Sequence, residues 1–66
     1  MDTKPEDLKP GEFISIPAWR IGAACVDRIE SAEIGLEDAR NVWVYEQPDA
    51  QQPRRYRLEP GQFELL

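Results

Sequence analysis

With 66 residues, one cysteine and no histidine, the chain has room for one domain with a small core, no internal disulfide, and no imidazole or thiolate cluster to hold zinc. Its net charge of −5 disfavours direct contact with nucleic-acid phosphates and makes a basic protein surface the more natural partner. The absence of histidine removes the ordinary general base near neutral pH, so the chain is expected not to be an enzyme and to need no cofactor or metal.

Residues 1–9 are polar and charged and are expected to form a flexible N-terminal arm, followed by a single small β-barrel domain over residues 10–66. The arm has neither the basic nor the apolar region of a signal peptide. The longest nearly apolar run, Ile21 to Val26, is too short to cross a bilayer, so a cytoplasmic protein without membrane contact is expected. Two matching phrases frame the domain, Leu8-Lys9-Pro10-Gly11-Glu12-Phe13 and Leu58-Glu59-Pro60-Gly61-Gln62-Phe63. In each, Pro presets φ for the second position of a β-turn, Gly supplies the positive φ that a type II turn needs next, and Phe enters an extended segment. The first and last strands are therefore expected to be neighbours.

The first strand is read over residues 12–18, with Phe13, Ile14 and Ile16, and is closed by Pro17 at an edge or bulge. The next segment has two readings. Residues 23–29 form a second strand entered through Gly22, with Val26 and Ile29 both inward if a bulge shifts the register. Alternatively Ile14, Ala18, Ile21, Cys25, Ile29 and Ala32 make a helical stripe, giving an α+β fold with one helix around residues 17–32 on a three-stranded antiparallel sheet. Residues 31–40 read as an acidic connecting loop with a helical turn at Leu36 to Ala39. Asn41 to Tyr45 is strongly β-forming, the Pro48- and Pro53-containing stretch after it is a long tip, and residues 54–58 return as the second arm of a hairpin. Residues 63–66 form a short final strand.

The phrases Lys9-Pro10-Gly11-Glu12, Ala23-Ala24-Cys25-Val26-Asp27-Arg28-Ile29-Glu30 and Val42-Trp43-Val44-Tyr45, as entries to and bodies of the first three strands, resemble an SH3-like barrel of the Tudor or KOW type. The resemblance covers most of residues 8–66 and implies a mainly β, five-stranded barrel. It also implies a cage for methylated arginine or lysine, built in Tudor domains from the loop after the first strand and the hairpin of the third and fourth. Trp19 and Tyr45 fall at two cage-like positions, while Pro48 and Asp49 stand near the place of the family's next hairpin aromatic.

Alternation along the third strand puts Val42 and Val44 on one face and Trp43 and Tyr45 on the other. With the valines inward, Trp43 and Tyr45 form an outward aromatic pair suited to recognition; in the other reading, a bent strand tucks one of them under the loop at residues 47–53. Arg55 and Arg57 share a face and either stack on Trp43 or Tyr45 or act as solvated gatekeepers of a sheet edge. Cys25, in an apolar stretch, is expected to be a buried structural thiol. The acids Asp27, Glu30, Glu33, Glu37 and Asp38 are the densest charge in the chain, either a solvated face or a carboxylate array that imitates a nucleic-acid backbone. The function expected is thus an acidic, non-enzymatic interaction module, a monomer or small homo-oligomer. Its partner is a protein with a basic surface, such as a nucleic-acid-binding complex blocked by an anti-CRISPR-like DNA mimic. The alternatives are a Tudor-like binder of arginine-containing or methylated peptides and a KOW-like nucleic-acid binder using Arg54, Arg55, Arg57 and Tyr56.

Overall fold

Both Pro-Gly pairs do the same mechanical work in the computed structural model, which describes residues 4–30 and 38–66. Gly11 and Gly61 adopt φ of 93° and 84°, values that L-residues with a Cβ strongly resist. In the first turn the Glu12 N–H donates to the Lys9 carbonyl at 3.1 Å, and in the second the Gln62 N–H donates to the Glu59 carbonyl at 3.1 Å. A side chain locks each turn from the other side: the Lys9 N–H donates to Glu12 Oε1 at 2.6 Å, and the Glu59 N–H to Gln62 Oε1 at 2.9 Å.

The fold is mainly β. Five strands, β1 (Phe13–Ile16), β2 (Ile21–Ile29), β3 (Arg40–Tyr45), β4 (Arg54–Leu58) and β5 (Glu64–Leu65), form one open antiparallel sheet in the order β4-β3-β2-β1-β5. The first and last strands pair, with Ile14 opposite Leu65 and Ser15 opposite Glu64. The helix entertained for residues 17–32 is not formed. Pro17–Trp19 is one 3-10 turn, ended by Arg20 in the left-handed region at φ 57°, and Ile21–Ile29 is the longest strand. Pairing decides the matter, because β2 is hydrogen-bonded on both sides and buries Ala24 and Val26, whereas a helix there would carry Gly22 at a cost of about 1 kcal/mol.

Two irregularities shape β2. Opposite β1, the step from Ile14 to Ile16 is matched by Ala24 to Ile21, one residue more, at Gly22 and Ala23. Opposite β3, Val26 faces Val44 and Arg28 faces Trp43, so Asp27 is the extra residue of a bulge. That bulge returns Ile29 to the core side, opposite Val42, after Val26 has already faced inward.

The core gathers Ile14, Ile16, Ala24, Val26, Val42, Val44, Tyr56 and Leu58 from inward positions of β1 to β4, and Phe63 from the turn before β5. Leu8 joins them, 4% exposed. Residues 4–9, expected as part of a loose arm, are thus tied down at Leu8 and at Pro5, which is buried in a short 3-10 turn, Pro5–Asp7. Glu6 of that turn forms a salt bridge with Arg40 at 3.1 Å. The helical turn expected at Leu36 to Ala39 lies largely outside the described residues; Ala39 itself is buried. Among the described residues no helix is long and apolar enough to cross a membrane.

Candidate functional site

Since Val42 and Val44 fill the inward positions of β3, the pleat turns Trp43 and Tyr45 to the outer face. Pairing then lines up two rows across the sheet on that face. In the first, Phe13 of β1 stands opposite Cys25 of β2, and Cys25 opposite Tyr45 of β3. In the second, Arg28 of β2 stands opposite Trp43, and Trp43 opposite Arg55 of β4.

The first row floors an apolar groove of about 620 Å3, walled by Ala23 and by Gln47, Pro48, Ala50 and Gln51 of the β3–β4 tip. Phe13 is 55% exposed at its mouth. Tyr45 is half-buried and lies beside the tip, combining both of its expected positions, outward on the sheet and partly under the loop. Cys25 was expected to be buried; it is half-buried and lines the groove, because β2 alternates Ala24 and Val26 inward and leaves Cys25 outward.

The second row is cationic. The Arg28 guanidinium sits 4.5 Å from the centre of the Trp43 ring and that of Arg55 sits 5.9 Å from it. The indole N–H donates to Glu30 Oε1 at 2.5 Å, which fixes the ring's rotation. Arg57 lies on the same face two residues beyond Arg55, opposite Asn41. The stacking expected of Arg55 on Trp43 is present. Arg28, the closer cation, was missed, since two strands and a bulge must be registered before it meets Trp43.

Of the acids expected to form an array, Asp27 is half-buried in the bulge, Glu30 is bound to the indole, and Asp38 is exposed. Glu33 and Glu37 lie outside the described residues. Trp19 and Tyr45 do not form one cage. Trp19, 48% exposed, packs edge-on against Tyr56 at 5.3 Å between ring centres, and Tyr56 points to the core side of β4. Tyr45 points to the opposite side of the sheet, so the two cage-like positions are separated by the sheet itself. Arg54 reaches Tyr56 at 6.0 Å and pairs with Glu46 at 3.6 Å, apart from the second row. Among the described residues no three His, Cys, Asp or Glu side chains are grouped as metal ligands. Comparison with known family models, with curated proteins and with solved structures finds no match for this chain.

Proposed function

We propose that this chain is a non-enzymatic interaction module, built as a small SH3-like barrel, that holds an extended segment of a partner protein in the groove between Phe13 and Tyr45. The observation that carries the reading is Phe13, a large apolar ring left 55% exposed beside a groove whose lining is mostly apolar, with Gln47 and Gln51 in its wall. Full burial of such a side chain is worth roughly 1.5–3 kcal/mol, and the matching Phe63 is buried to 3% exposure. An exposed apolar groove rimmed by polar residues is the usual mark of a recognition surface. The barrel reading draws support from the sheet order, in which β5 returns to pair with β1 after a four-strand meander. The non-enzymatic reading draws support from a sequence without histidine.

Charge favours a second reading, in which the acids Asp27, Glu30, Glu33, Glu37 and Asp38 meet a basic partner surface as a DNA mimic would. One titration separates the two. Apolar, acidic and basic extended peptides are added to the labelled protein while amide shifts are followed by NMR. Under the groove reading, shifts gather at Phe13, Ala23, Cys25, Tyr45 and Ala50, disappear in Phe13→Ser, and survive lysine substitution of Glu33, Glu37 and Asp38. Binding that needs those acids and ignores Phe13→Ser transfers the function to the acidic segment; no shift with any peptide class at millimolar concentration rejects the groove.

A further inference from the structure

Three cations gather on the part of the outer face formed by β2 and β4 around Trp43, beside the carboxylate of Glu30 and with Asp27 next to Arg28 in the bulge. Arg28, Arg55 and Arg57 are all exposed there, and among the described residues none of the three has a salt-bridge partner. Among the other cations, Lys4 and Arg40 pair with Glu6 and Arg54 with Glu46, while Lys9 and Arg20 also form no salt bridge among the described residues. Three of the eight basic side chains thus lie on one face with no ion pair among the described residues, in a protein of net charge −5. The Trp43 ring offers its negative face to Arg28 and Arg55, and Glu30 is engaged by the indole N–H.

Protection of a sheet edge explains part of this arrangement but not its centre. Charges on β4 suit an edge strand, since they discourage pairing with other chains. Arg28 is on β2, in the middle of the sheet, where no edge needs guarding. It faces outward only because Asp27 is bulged; uninterrupted alternation from Val26 would send residue 28 inward. The bulge thus aims a guanidinium at the tryptophan, next to the groove.

We propose that the groove and the Arg28–Trp43–Arg55 row form one continuous site for an extended acidic segment of a partner protein, with an apolar side chain in the groove and carboxylates over the arginines. This rests on the groove reading and adds the partner's chemistry to it. Same-face residues two apart on a strand are separated by about 7 Å, and an extended peptide repeats at the same interval. An apolar anchor beside Tyr45 then brings carboxylates at alternate positions first over Arg28 and Arg55 and next over Arg57. Guanidinium groups held against a ring are preorganised for carboxylates, which they bind in bidentate fashion. A polyanionic nucleic acid is less well suited, because the whole chain's negative charge repels it more than it repels a short segment with a few carboxylates.

The test uses the full chain with Trp19→Phe, which leaves Trp43 as the single tryptophan reporter. Synthetic peptides of about eight residues, long enough to span both rows in extended form, carry one leucine followed by alternating glutamates; a second set replaces the glutamates by lysines. Expected is a change in Trp43 emission with the acidic peptide, weakening with added salt. The fold-retaining Arg55→Glu/Arg57→Glu variant is expected to bind about tenfold or more weakly, while Lys4→Gln binds unchanged. Binding of the lysine peptides alone overturns the acidic-partner inference and leaves the groove reading standing. Binding of neither set, with no amide shifts in the groove, removes both. Tighter binding of single-stranded oligothymidylate than of the acidic peptide overturns the inference in favour of nucleic acid.

Discussion

Gly11 and Gly22 differ in what their backbones demand. At Gly11 a Cβ would meet nothing within 4 Å, yet φ is +93°, so the cost of a side chain is conformational. Gly11→Ala is expected to destabilise by about 1–2 kcal/mol. At Gly22 there is equally open space and no positive φ, so Gly22→Ala is expected to lie within about 0.5 kcal/mol of the parent, urea midpoints deciding both. The positive φ at Gly11 was legible from sequence because Pro-Gly turn chemistry is local. The contacts of Trp43 were only half legible. Alternation sends it outward, but its closest cation, Arg28, depends on the register of a bulged strand, which no local rule supplies. Trp19 shows the same limit, since its approach to Tyr56 is set by the 3-10 turn at Pro17–Trp19 and by three intervening strand pairings.

The elements followed the sequence wherever turn residues bounded β-branched or aromatic runs. All five strands were expected, and β2 differs mainly in beginning at Ile21, before the Gly22 taken as its entrance. The N-terminal segment misled because most of its side chains are charged, and one leucine among them looks incidental. Leu8 is nevertheless part of the core, and its turn is fastened to β3 through Glu6 and Arg40. Leu8→Ala is expected to cost about 2–4 kcal/mol, as for a core position. A thermal melt unchanged by that substitution shows instead that the segment is held only at the surface.

The whole molecule has little stability to spare. A single core in a chain of this length supplies roughly 3–5 kcal/mol, and its ten principal members all come from one sheet, its flanking turn and Leu8. Ile16→Ala, at a fully buried site, removes about 2–5 kcal/mol and is expected to leave much of the protein unfolded at physiological temperature by circular dichroism. A bound partner reverses the loss by mass action, so saturating ligand raises the melting point of the same variant. Most residue contacts join positions at least twelve apart in the chain, which places folding in roughly the millisecond to second range typical of such sheets.

The hexapeptide that opens β1 and the one that leads to β5 are built to one specification up to their fifth residue. Both begin on a leucine sunk in the core, both turn on Pro-Gly, and both are latched by a side-chain oxygen three residues on. They part at the sixth residue, where Phe63 goes in and Phe13 goes out. A carboxylate in one latch and an amide in the other perform the same task, so the turn itself is indifferent to the direction its phenylalanine takes. The exposed face of Phe13 can therefore be understood as a structural part used twice and spent differently, the second copy completing the interior and the first releasing its phenylalanine to the outside world.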